Sequence, residues 1–235
     1  MAGEPARMGI LTAVPGAAPT AEAPGPGEHR LGLDGRRDAV LLVPPGLAAG
    51  AAAPLIVMLH GAGGAAGQGL DILRGEAGRI GALLLAPDSR AGTWDVIVGD
   101  YGPDVAFIDR ALAWVYERFA VDPDRLAVAG FSDGASYALC LGLTNGEAFS
   151  HILAFAPGFA APTRAVGAPR IYICHGRDDR VLPIDRCSRR LVPRLEAHGY
   201  PVTYREFDGG HTVPPERAAE ALALLEARGP SPGRG

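Results

Sequence analysis

From residue 38 onward, short apolar runs alternate with longer segments whose apolar residues recur every three or four positions. "DAVLLVP" and "APLIVMLH" are bounded by Pro and Gly and apolar along most of their length, which predicts strands buried on both faces. "GQGLDILRGEAGRIG" then predicts a helix and "ALLLAP" a strand. In "PDVAFIDRALAWVYERFA", Val105, Ile108, Leu112, Val115 and Phe119 recur at helical spacing. "RLAVAG" predicts the next strand, "ASYALCLGL" a helix, and "HILAFAP" and "RIYICH" two further strands. "IDRCSRRLVPRLEAHG", interrupted by Pro193, "VTYREF" and "PPERAAEALALLEAR" read as helix, strand and helix. The last opens with prolines in its first turn, where a missing N–H costs nothing. "DSRAGTWDVIVGDYG" is too polar and broken for a regular element. This alternation predicts an α/β fold with a doubly wound, mostly parallel sheet flanked by helices, in which ligands bind at the carboxyl ends of the strands.

Residues 1–30 are rich in Ala, Pro and Gly and show no period, which predicts a flexible N-terminal tail. Residues 31–228 then form one domain, and 229–235, ending in "GPSPGRG", a frayed C-terminal tail. A chain of 235 residues is long enough for one full hydrophobic core.

Composition narrows the function classes. The net charge is −4, and every basic residue other than histidine is Arg, with no Lys. The arginines are scattered rather than striped, which argues against a nucleic-acid partner. The longest apolar runs fall far short of the roughly 18 residues of a membrane span. "MGILTAV" is too short for a secretory apolar region and follows Glu4. Three cysteines without a CxxC pair fit a reduced, cytoplasmic chain.

Four segments fall at predicted strand ends: "HGAGG", "SDG", "HGRDD" and "GGH". Ser132 lies in "GFSDG", a G-x-S-x-G pattern between an apolar strand and an Ala-rich helix, as a nucleophile elbow requires. The blander reading is a helix N-cap, for which Ser is also favoured. A serine hydroxyl needs a base, and His211 lies in a loop after the last strand. His29, His151 and His198 lie in the tail, at a strand start and at a helix end, while His60 and His175 read as turn-packing residues. An imidazole base needs a carboxylate to fix its tautomer, and "HGRDD" offers Asp178 or Asp179. One oxyanion donor would be the N–H of Asp133, and the other that of Ala62 or Gly63. A phosphate cradle is disfavoured, because the chain lacks the G-x-x-x-x-G-K-[ST] pattern.

With these motifs assembled, residues 36–225 resemble an α/β-hydrolase, and in particular the small cap-less esterases grouped with phospholipase/carboxylesterase and polyhydroxybutyrate-depolymerase-like proteins. The likeness rests on "LHGAGG", "GFSDG", "HGRDDRVLP" and "GGHTVPP". It implies a Ser132–His211–Asp179 triad, with Asp179 rather than Asp178 because it falls two residues before Val181. It also implies oxyanion donors at Asp133 and Ala62, with Gly63 beside the substrate. "TWD" is similar to a substrate-loop segment of such esterases, which makes Trp94 a pocket-wall candidate, with a core residue as the alternative. The implied activity is hydrolysis of short to medium acyl esters through a serine acyl-enzyme, with no metal or organic cofactor and a small ester as the partner. A homodimer is left open. "PGFAAPTRAVGA" is too short and irregular for a helical lid, so no substantial cap is expected. The alternatives are an acyl thioesterase or serine peptidase on the same fold, or a non-catalytic binding protein.

Overall fold

The structure is a computed structural model that describes residues 2–16, 18–48 and 50–227. Its centre is an eight-stranded sheet of β1 (Gly27–Arg30), β2 (Ala39–Val43), β3 (Ala53–Leu59), β4 (Leu83–Pro87), β5 (Val121–Phe131), β6 (His151–Phe155), β7 (Arg170–Gly176) and β8 (Val202–Phe207). The spatial order is β1-β2-β4-β3-β5-β6-β7-β8. β1 and β2 pair antiparallel, as do β2 and β4, while β3 to β8 run parallel. After β3 the chain steps outward to β4, then crosses back over β3 to β5. The order therefore reverses at the carboxyl ends of β3 and β5, where such sheets open a crevice.

Alternation along the central strands separates two apolar layers. Leu55, Val57 and Leu59 face one layer and Ile56 and Met58 the other, all fully buried. The first layer is completed by α4 (Pro103–Tyr116), α5 (Asp133–Thr144) and α6 (Ser188–Ala197), the second by α2 (Ala66–Arg79) and α7 (Pro215–Glu226). α4 and α7 both begin on a proline at the first helical position, as the sequence predicts for α7. Residues 156–169, between β6 and β7, hold no helix or strand, so no cap stands over the strand ends there.

Two segments differ from expectation. Within the stretch expected to be irregular, Asp95–Val98 forms a single helical turn, α3. It is held by side chains bonding to backbone rather than by apolar spacing. Asp95 Oδ2 accepts the N–H groups of Gly102 and Asp104, and Asp104 Oδ2 accepts that of Asp95.

The second difference is the N-terminal segment, expected as a tail up to residue 30. A short turn, α1 (Glu4–Arg7), leads into residues laid against α4 and the end of α5. The N–H groups of Thr12 and Ala13 donate to Asp109, and the N–H groups of Thr20 and Ala21 to the Glu117 carbonyl. Gly27–Arg30 then joins the sheet as edge strand β1, so the folded domain begins before residue 31. The expected C-terminal tail, 229–235, lies outside the described residues. Among the described residues no helix is long and apolar enough to cross a membrane.

Asn145 is the buried anchor of the N-terminal segment. Its amide donates to the carbonyls of Gly9 and Leu141, each at 2.8 Å, and accepts the Leu11 N–H at 2.9 Å. Asn145→Ala removes three hydrogen bonds, each worth about 1 kcal/mol net, so urea denaturation should show a loss of about 2–3 kcal/mol. An unchanged midpoint would mean that this anchoring contributes nothing to stability.

Candidate active site

β5 ends at Phe131, and α5 begins at Asp133 with only Ser132 between them. To turn that sharply, Ser132 takes φ 57° and ψ −120°, a conformation that L residues seldom adopt. Its N–H donates to the Phe155 carbonyl at the end of β6 (2.9 Å), which pins the turn to the sheet. The flanking glycines are required by space. A Cβ on Gly130 would lie 2.1 Å from the Gly134 carbonyl oxygen, and one on Gly134 would lie 2.2 Å from that of Leu59 and 2.5 Å from that of His60. The first turn of α5 is thus packed directly on the backbone at the end of β3. Ser132 makes no side-chain capping bond to its helix. The N-cap alternative is thereby set aside, and the hydroxyl is engaged elsewhere.

It is engaged by His211, which follows β8. The distance from Ser132 Oγ to His211 Nε2 is 2.8 Å, and from His211 Nδ1 to Asp179 Oδ2 it is 2.6 Å. An ionised carboxylate can only accept, so Nδ1 carries the proton and Nε2 is left to accept from the serine hydroxyl. Ser132 is 8% exposed, and the side chains of His211 and Asp179 are 16% and 0% exposed. The relay is therefore open to solvent only at its serine and imidazole end. The Phe131 ring lies 4.8 Å from the imidazole, centroid to centroid, and backs it. Of the two acidic candidates, Asp178 is exposed and Asp179 makes the contact.

Burial alone would raise the Asp179 carboxyl. The His211 imidazole and the N–H groups of Leu182 (2.8 Å) and Val181 (2.9 Å) outweigh it and hold the carboxyl below its ordinary value. A second histidine, read from sequence as turn packing, also meets this carboxylate. His175 is fully buried, with Nε2 at 2.8 Å from the Leu182 carbonyl and 3.2 Å from Asp179 Oδ2, and Nδ1 at 2.7 Å from Ser188 Oγ. Burial lowers its pKa, so a neutral ring donates from Nε2 and accepts the Ser188 hydroxyl at Nδ1. The signal for it was available, since it lies four residues before Asp179 on the same strand end.

At the end of β3, the Gly63 N–H donates to the Gly92 carbonyl at 2.6 Å. Among the described residues the N–H groups of Ala62 and Asp133 have no acceptor, so both candidate oxyanion donors are free to bond a ligand. Gly63 is exposed, but its own amide is engaged.

Trp94 does not line the site, against the pocket-wall candidate. It is fully buried, stacked on Tyr137 with ring centroids 5.1 Å apart, and its indole N–H donates to the His60 carbonyl at 2.9 Å. An indole enclosed on all sides is a core residue that supports the end of β3, not a pocket wall. His60 also packs against it, 4.8 Å between ring centroids, and accepts the Ser89 N–H at Nε2. Among the described residues no group of three or more His, Cys, Asp or Glu side chains is arranged as metal ligands would be.

The chain is similar to known esterases in sequence and in three dimensions. The family model described as "putative esterase" matches residues 105–166. Acyl-protein thioesterase 1 of Gibberella zeae is 28% identical over 118 residues, covering 46% of this chain and 50% of that protein. Feruloyl esterase C of Emericella nidulans is 28% identical over 220 residues, covering 80% of each chain. This chain thus spans half of the length of the first relative and most of the second. In three dimensions it is similar to the crystal structure of esterase PE8, with a TM-score of 0.64 and 24% identity over 79% of this chain and 96% of that one. That likeness speaks to the fold.

Gly134→Ala tests the close approach on which the turn is built. The added methyl cannot fit against two backbone carbonyls, so the variant should lose about 3 kcal/mol or more in chemical denaturation. Activity should fall with it, because α5 must shift off β3. Wild-type stability would show that the helix start is not seated as described.

Proposed function

We propose that this chain, an α/β hydrolase by fold, is a serine hydrolase that cleaves carboxylic esters through an acyl-enzyme on Ser132. The observation that carries the reading is the bridging position of His211, within hydrogen-bond reach of both Ser132 and a buried, ionised Asp179. The esterase family match and the esterase relative support the bond type.

In this reading, Ser132 Oγ attacks the ester carbonyl carbon while its proton passes to His211 Nε2. The imidazolium that forms is stabilised by the Asp179 carboxylate through the 2.6 Å contact at Nδ1. The carbonyl oxygen becomes an oxyanion and takes hydrogen bonds from the Ala62 and Asp133 amides, the latter at the positive end of α5. Collapse of the tetrahedral intermediate breaks the carbon–oxygen bond to the alcohol, which leaves with the proton from Nε2. A water then attacks the acyl-enzyme, gives its proton to Nε2, and Ser132 recovers it as the acid departs.

Thioester cleavage is the second reading, supported by the named activity of the Gibberella zeae relative. The same groups would perform it, because only the leaving atom differs. A small ester is the proposed substrate, with short to medium acyl chains. A cytoplasmic location rests on the three cysteines, which are buried and unpaired.

Labelling with a fluorophosphonate probe tests the nucleophile. The wild type should be labelled, and Ser132→Ala and His211→Ala should not. Asp179→Asn, which leaves the imidazole in the wrong tautomer, should slow ester turnover on the order of 10⁴-fold. A folded wild-type protein that takes up no probe would leave the arrangement a likeness without an activated serine.

A further inference from the structure

Three consecutive residues, Gly92, Thr93 and Trp94, each bond to a different part of the oxyanion machinery. The Gly92 carbonyl holds the N–H of Gly63, next to Ala62. The Trp94 indole holds the His60 carbonyl, two residues before Ala62. Thr93 Oγ1 donates to Asp133 Oδ2 at 2.7 Å. One short strap thus reaches both sides of the site: the end of β3, which offers the Ala62 amide, and the start of α5, which offers the Asp133 amide. The strap is itself anchored by the backbone-bonding pair Asp95 and Asp104 just beyond it.

The Thr93 contact has a specific electrostatic consequence. Asp133 presents its backbone N–H to the developing oxyanion and carries a carboxylate on the same residue. A free carboxylate at that position could turn back toward the amide, accept its hydrogen bond, and place a negative charge beside the negative charge formed in the reaction. Among the described residues the Thr93 hydroxyl is the one hydrogen-bond partner of that carboxylate. Trp94 is rigidly buried next to it, so the hydroxyl is delivered from a fixed backbone.

We propose that Thr93 is a positioning residue of the oxyanion site: its hydroxyl holds the Asp133 carboxylate aside, which keeps the Asp133 amide free and the field at the hole favourable. This rests on the serine-hydrolase reading given above. The role is felt in the transition state, where the charge develops, and little in the ground state. Loss of the hydroxyl therefore lowers kcat with KM nearly unchanged.

The test uses steady-state hydrolysis of p-nitrophenyl acetate by the full chain. Thr93→Val, which keeps the shape and removes the donor, should lower kcat by about 10-fold or more, less than the 10²–10³-fold cost of deleting an oxyanion donor outright. KM should stay within about twofold and the melting temperature close to that of the wild type. Thr93→Ser, which returns the hydroxyl, should recover most of kcat. In an Asp133→Asn background the same Thr93→Val change should cost about twofold or less, since the charge it controls is gone. Unchanged kcat in Thr93→Val, or an equal loss in the Asp133→Asn background, overturns the inference alone. Wild-type protein without Ser132-dependent turnover or fluorophosphonate labelling overturns the hydrolase reading and this inference with it.

Discussion

The close approach of α5 to the end of β3 is the contact on which the site depends. The oxygens of Leu59 and His60 stand where a Cβ on Gly134 would be, so the first turn of α5 can sit there only with glycine at its second position. That position forces the chain from β5 into α5 through a single residue, and Ser132 takes up the resulting backbone strain. The strain is sustained because the surroundings over-determine it: Ser132 N–H is fixed to the end of β6, and the first turn of the helix is seated on the end of β3. The site is thus a property of the sheet's reversal point rather than of any one loop.

Around that contact the polar groups are graded in burial. Asp179 is enclosed and charged, with four contacts to its two oxygens: the amides of Val181 and Leu182 on Oδ1, and the rings of His211 and His175 on Oδ2. An enclosed carboxylate with fewer partners would be protonated and could not fix the imidazole tautomer. His175 and Ser188 extend the network into α6, so the acid is held by a helix as well as by its own loop. Outward from Asp179, His211 is partly open and the Ala62 residue exposed, which leaves the reacting end accessible.

Much of this was legible in the sequence, for identifiable reasons. Strands buried on both faces must be apolar throughout, so β3, β4, β6 and β7 stood out within a residue or two. The positions of Ser132 and His211 followed from where two other strands, β5 and β8, end. Asp179 could be separated from Asp178 only by family likeness, because both follow the same strand and burial decides between them. Trp94 stayed open between pocket wall and core because a tryptophan in a polar stretch has no periodic neighbours to declare it a core residue; its burial comes from Tyr137 and His60, distant in sequence. The N-terminal segment was misread for a related reason. It docks through backbone groups that meet Asn145 and Asp109, and backbone bonding leaves no trace in an Ala- and Pro-rich composition. Thr93 belongs with these, since a single hydroxyl facing one carboxylate forms no motif.

An activated Ser132 becomes covalently acylated during ester turnover. Rapid mixing of the protein with p-nitrophenyl acetate, followed by acid quenching and peptide mass spectrometry, tests it most directly. An acetyl group should appear on the peptide that contains Ser132, formed along with an equivalent of nitrophenolate and then lost during turnover. Turnover of the ester with an acetyl group on another residue, or with none on a trapped intermediate under conditions where deacylation is the slow step, would contradict it.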